Sequence, residues 1–152
     1  MSKIKVLIVE DESIVAKDIQ NILNTLGYSV VSIVSSGEKA LSEVEKHMPK
    51  LVLMDIMLKG DMNGIQSAEI IRERYDIPVV FLTDYADENT IEKAKSAIPY
   101  GYIIKPFKEK ELETTIEMAI NKHMNDMELK KERDLLHSIV VNKDEKDSIF
   151  VR

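Results

Sequence analysis

The sequence predicts an α/β doubly wound domain with a parallel five-stranded sheet. Five short β-branched runs alternate with longer segments of helical period, the runs are apolar on both faces, and four of them end in polar residues suited to one shared site. The first run, Ile4–Val9, leads into a helix in which Val15, Ile19, Ile22, Leu23 and Leu26 recur at three and four residues, with Ser13 as its expected cap and Gly27 as its stop. The second run is Tyr28–Val34. The helix after it spans about Gly37–Met48, with Ala40, Leu41, Val44 and Met48 on one face and Pro49 ending it. Leu51–Met54 is the third run, and Ile65, Ala68, Ile71 and Tyr75 mark a helix over about Gly64–Tyr75. Ile77–Leu82 and Tyr100–Ile104 complete the strands, separated by a shorter helix over Glu88–Ala97, and a fifth helix begins near Lys108. Right-handed crossovers put helices on both faces of such a sheet, and a ligand site forms beyond the carboxyl ends of the strands.

The 152 residues suit one domain with a short extension. There is no cysteine, which excludes a disulfide scaffold, a thiol nucleophile and a thiolate zinc site. The net charge of −6 argues against nucleic-acid binding by this chain or attraction to an anionic membrane. No apolar stretch approaches a membrane span, and Met1–Lys5 runs straight into a strand rather than a signal peptide, so the expectation is a soluble cytoplasmic protein.

At the strand ends stand Glu10, Asp11 and Glu12 after the first, Asp55 after the third, Thr83 and Asp84 after the fourth, and Lys105-Pro106 after the fifth. Carboxylates sharing a small site repel one another unless a cation neutralises them. Oxygen ligands without His or Cys favour Mg²⁺, which keeps waters and recruits phosphate. A lysine ammonium suits phosphoryl oxygens, and a threonine hydroxyl can donate to another. The residues therefore point to a Mg²⁺-dependent phosphoryl site with Asp55 as nucleophile. An acidic cluster, a strand-terminal Asp or a Lys-Pro turn is each ordinarily structural; the weight lies in four such features arriving at four strand ends in order.

The segments Val6-Leu7-Ile8-Val9-Glu10-Asp11-Glu12, Leu51-Val52-Leu53-Met54-Asp55-Ile56, Val80-Phe81-Leu82-Thr83 and Tyr102-Ile103-Ile104-Lys105-Pro106-Phe107 resemble the receiver domain of two-component response regulators, over roughly residues 3–120. Asp11 and Asp55 are 44 residues apart, and Thr83 and Lys105 are 22 apart, as the resemblance requires. It implies the flavodoxin-like strand order 2-1-3-4-5. It further implies that Asp55 accepts a phosphoryl group from a histidine kinase or phosphotransfer protein. Glu10, Asp11, Asp55 and the main-chain carbonyl of Met57 would hold Mg²⁺, and Lys105 would pair with the phosphoryl oxygens. Thr83 and Tyr102 would form the switch, and a cis bond would precede Pro106. The implied module is a switch with only self-phosphorylation and autodephosphorylation activity, not a conventional enzyme. Its output face would be the fourth helix, fifth strand and fifth helix, where Glu92, Lys93, Lys95, Lys110 and Glu111 can pair across a phosphorylation-dependent homodimer or remain a solvated face.

The chain departs from the family pattern at three places. Asp84 stands where a small residue is usual; its carboxylate could repel the phosphoryl group or alter its lifetime, or, as is preferred, point outward and cap the following helix. Lys59-Gly60 replaces a common proline in an Asp55–Gly64 loop one residue longer than the usual form, and Met57 and Tyr85 flank the path of the attacking water. A haloacid-dehalogenase-type phosphohydrolase would need a second Asp where Met57 stands, and a nucleotide- or flavin-binding domain lacks its glycine-rich loop. A receiver-like module that binds partners without phosphorylation stays open at Asp84.

Two regions are expected: a receiver domain over residues 1–121 and a helical linker or tail over 122–152. Leu112, Ile116, Ala119 and Ile120 give the fifth helix its packing stripe, and it continues past Met124 and Met127 with no Gly or Pro. Residues 121–152 carry seven basic and seven acidic side chains, consistent with a helical linker or a short coiled coil interrupted at Lys131. Ser138–Arg152 reads as two strand-like runs about a charged turn or as a disordered tail; Asp147–Arg152 resembles the opening strand of LytTR-type DNA-binding domains, which would make it the start of an output domain.

Overall fold

The computed structural model describes residues 3–151 apart from 59 and 85–87. In chain order its elements are β1 (Lys5–Val9), α1 (Ser13–Leu26), β2 (Ser29–Val34), α2 (Gly37–His47), β3 (Leu51–Asp55), α3 (Gly64–Tyr75), β4 (Val79–Thr83), α4 (Glu88–Ala94), a 3-10 turn (Lys95–Ala97), β5 (Gly101–Ile104) and α5 (Glu109–Val151). The five strands form one sheet in the order β2-β1-β3-β4-β5, every neighbouring pair parallel. This is the expected doubly wound fold with helices on both faces.

Strand period two sorts the core into two layers. Leu7 and Val9, Val52 and Met54, and Val79 and Phe81 face one side, where Ala40 and Val44 of α2, Ala68 and Ile71 of α3, and Ala94 and Ala97 cover them. Val6 and Ile8, Leu51 and Leu53, and Val80 and Leu82 face the other, under Ala16, Ile19 and Leu23 of α1 and Leu112, Ile116 and Ala119 of α5. Only β3 and β4 are buried throughout, with β1 buried after Lys5; β2 is partly exposed along its length because it is an edge strand, and β5, at the other edge, buries only Ile103.

Helix ends differ from expectation where backbone angles decide them. Glu12, not Ser13, is the extended cap residue of α1, and no side chain caps that helix. Gly27 does end it, in the left-handed region at φ 93°, its N–H donating to Asn24 and Leu23 carbonyls. Met48 is not on the packed face of α2. It is the left-handed C-cap at φ 45° and is exposed, so the helix stops before Pro49 is reached. At α3, Asn63 and Gln66 form a reciprocal capping box. The segment expected as one helix over Glu88–Ala97 tightens after Ala94 into the 3-10 turn.

The chain divides into two compact units, Met1–Ile120 and Asn121–Arg152. In the second, the helical backbone of α5 runs on to Val151, so the strand-like reading of residues 138–151 is corrected. No Gly or Pro interrupts residues 121–152, and extending a helix costs far less than nucleating one. From Met124 to Ile139 every side chain is exposed. No helix among the described residues is long and apolar enough to cross a membrane.

Candidate functional site

Strand order reverses between β1 and β3, so the crevice at their carboxyl ends is the expected place for chemistry. Register makes the site. Val9 pairs with Met54, so Glu10 and Asp55 emerge side by side. Asp55 pairs with Leu82, bringing Thr83 next in line, and Thr83 pairs with Ile104, so Lys105 follows at the edge. Backbone bonds extend the ladder past the last strand residues: Glu10 N–H donates to Val34 O at 2.9 Å, Ile56 N–H to Leu82 O at 3.1 Å, and Lys105 N–H to Thr83 O at 2.7 Å.

Glu10, Asp55 and Thr83 are buried, at 2%, 5% and 4% exposure. Ligand oxygens of Glu10, Asp11, Glu12 and Asp55 all lie within 4.8 Å of one another, a donor set of carboxylates alone that fits a hard divalent cation. The Lys105 ammonium reaches into this group. It donates to Glu10 Oε1 and stands 3.5 Å from Asp55 Oδ2 and 3.8 Å from Glu12 Oε1. Asp55 Oδ1 accepts from the Met57 N–H at 2.9 Å, which fixes the carboxylate plane at the start of the loop. The Lys105–Pro106 peptide bond is cis.

One ammonium does not neutralise so many carboxylates, and the ionisation of Glu10 registers this. Burial first, then a hydrogen bond with Asp55, push the Glu10 carboxyl from 4.5 up to about 8, against the opposing pull of Lys105. For Lys105, burial works against the charge, but the Glu10 hydrogen bond and the charges of Asp55, Glu10 and Asp84 outweigh it and hold the ammonium above its ordinary value. A stability prediction follows from Glu10. The folded state binds more protons than the unfolded chain between pH 4.5 and about 8, so this contribution is complete below pH 4.5 and is lost as pH rises toward 8. In chelator-containing buffer the melting temperature of the wild type should fall more steeply over that window than that of Glu10→Gln; equal slopes would contradict the assignment.

Asp84 is exposed, as expected, yet its Oδ1 lies 3.8 Å from Lys105 Nζ, so it faces the site instead of turning away from it. Tyr85 and Lys59 fall outside the described residues. Tyr102 is half-buried, its ring 6.1 Å from that of Phe81, and it borders a cavity of about 400 Å³ with Ile104, Lys110 and Thr115. Burial raises its hydroxyl pKa, Lys95 lowers it, and Glu92 adds to the rise. Glu92 and Lys95, named above as candidates for pairing between copies, pair within the chain at 2.9 Å.

Glu12, expected with Glu10 and Asp11 at the end of the first strand, belongs to the carboxylate group. One residue that matters here was not expected at the site. Gly64 opens α3, and a Cβ there would lie 2.2 Å from Asp55 O and 3.0 Å from Ile56 Cα. The spacing from Asp55 to Gly64 was the available signal.

Comparison with known proteins gives one answer. The family described as response regulator receiver domain matches residues 6–117. The transcriptional regulatory protein PdtaR of Mycobacterium tuberculosis is 33% identical over 118 residues, covering 78% of this chain and 57% of that protein. The chain spans about half the length of the curated relatives it matches. Among solved structures, the signal receiver domain of a modulated diguanylate cyclase from Desulfovibrio desulfuricans is 34% identical with a TM-score of 0.78, covering 82% of this chain and 99% of that one. The N-terminal domain of a response regulator/sensory box/GGDEF 3-domain protein from Carboxydothermus hydrogenoformans is 42% identical with a TM-score of 0.75, covering 81% and 98%.

Proposed function

The chain belongs to the response regulator receiver family of two-component systems, and on that premise we propose that it is a phosphorylatable switch whose acceptor is Asp55. The observation that carries the reading is the placement of the Asp55 carboxylate among Glu10, Asp11 and Glu12, with the Lys105 ammonium 3.5 Å away. An Asp55 oxygen attacks phosphorus, the P–N bond of a phosphohistidine on a sensor kinase or phosphotransfer protein breaks, and the electron pair leaves with the imidazole. Glu10, Asp11, Asp55 and the Met57 main-chain carbonyl would hold Mg²⁺, which would offset part of the charge on the carboxylates and the phosphoryl oxygens. Lys105 pairs with those oxygens, and the Met57 N–H keeps Asp55 oriented during attack. Attack by water on the acyl phosphate returns the carboxylate, so the domain resets itself and has no other catalytic role.

Thr83 turns its hydroxyl to the phosphoryl group and Tyr102 follows, repacking the α4-β5-α5 face. That face then controls a partner, a second copy of the chain or an output domain. The location is cytoplasmic, with no direct contact to nucleic acid or membrane; the net charge of −6 supports this. The test is intact-protein mass after incubation with Mg²⁺ and acetyl phosphate. One added phosphate that disappears when Mg²⁺ is chelated is expected; no Mg²⁺-dependent adduct would overturn the reading. Lys105→Met should retain the fold but slow uptake by ~10²-fold, the scale of losing one charge-stabilising group.

A further inference from the structure

We propose that Asp84 selects the phosphodonor by charge, disfavouring small dianions and favouring a donor that brings compensating positive charge to its phosphoryl group. This deepens the reading of Asp55 as acceptor and rests on it.

Four carboxylates face the Lys105 ammonium: Glu10 in direct contact, Asp55 at 3.5 Å, and Glu12 and Asp84 at 3.8 Å. Glu10, Glu12 and Asp55 belong with Asp11 to the group whose oxygens could hold a divalent cation. Asp84 does not belong to it. A cation held there leaves the Asp84 charge in place beside Lys105, where it competes with an incoming phosphoryl group for the same ammonium.

Asp84 also borders open space next to Lys105. A cleft of about 530 Å³ opens beside Lys105, and Asp84, Glu12 and Asp18 line it together with the apolar Ile14 and Phe107. A donor reaching Asp55 past Lys105 passes through the field of Asp84. At separations of several Å in a partly solvated cleft, one opposing charge changes a rate by roughly 3- to 10-fold, and salt screens the effect. Nothing in this arrangement penalises a phosphoryl group presented among cationic side chains, and the acidic lining attracts them.

The experiment compares two donors on the full chain at saturating Mg²⁺. At neutral pH acetyl phosphate is a dianion; its acyl P–O bond breaks and acetate leaves with the electron pair. Phosphoramidate is a zwitterion of net charge −1; its P–N bond breaks and ammonia leaves with the pair. Asp84→Asn should raise the rate with acetyl phosphate ~3- to 10-fold and that with phosphoramidate by clearly less, and the difference should shrink as ionic strength is raised. Asp84→Glu, which keeps the charge, should keep the wild-type donor preference. An unchanged donor ratio in Asp84→Asn, or a change that salt does not reduce, overturns the inference while leaving Asp55 in place as acceptor. Failure of both donors to modify wild-type protein at Asp55, judged against Asp55→Asn, overturns the proposed function and this inference with it.

Discussion

Asp55→Asn is expected to take up no phosphate from any donor, with the fold unchanged. The amide has nearly the shape of the carboxylate, and its oxygen can still accept the Met57 N–H that Asp55 Oδ1 accepts at 2.9 Å. Lys105 keeps its contact with Glu10, so the ammonium is not left alone in a site where its side chain is only 10% exposed. Stability should therefore stay within about 1 kcal/mol of wild type, as for shape-conserving changes that leave no buried charge unpaired. The loss is chemical, since an amide oxygen is too weak a nucleophile to displace the donor's leaving group. Thermal melting and intact mass measured on the same sample separate the two effects. Residual uptake in a well-folded Asp55→Asn protein would place the acceptor elsewhere.

Gly64→Ala should damage the site from the outside. Gly64 needs no left-handed backbone; its constraint is space. The Cβ of alanine would sit 2.2 Å from the Asp55 carbonyl oxygen, a backbone atom that no side-chain rotation can move away. Either α3 backs off, breaking the Gly64 N–H bond to Ile56 O at 3.2 Å, or the end of β3 shifts and carries Asp55 away from Lys105. Overpacking of a buried contact costs about 1–3 kcal/mol, and a displacement of the nucleophile near 1 Å can cost ~10²-fold in rate. Denaturant unfolding and the phosphorylation rate should both fall. An alanine variant with wild-type stability and wild-type uptake would show that the loop has room that the contact geometry denies.

The central strands and the residues that follow them were legible because two local signals coincide there. Val6–Val9, Leu51–Met54 and Val79–Leu82 are apolar on both faces, which only a sheet covered on both sides rewards, and the polar residue after each must then stand at its carboxyl edge. Glu10, Asp55, Thr83 and Lys105 were placed by that logic together with the family resemblance. What escaped it depends on partners distant in sequence or on backbone angles. Asp84 faces Lys105, 21 residues further on, and no local pattern distinguishes that from a helix cap. Met48 fits the period of α2 but takes the left-handed cap. Ile139-Val140-Val141 and Ile149-Phe150-Val151 have strand composition, yet the uninterrupted helix continues through them.

The most direct measurement is chemical trapping of the acyl phosphate. Phosphorylated protein reduced with borohydride converts a phosphoaspartate to homoserine, which peptide mass spectrometry locates. Homoserine is expected at position 55 alone, dependent on Mg²⁺ and donor; homoserine at another aspartate, or phosphate retained on a histidine, serine or threonine with position 55 unmodified, would rule out Asp55 as the acceptor.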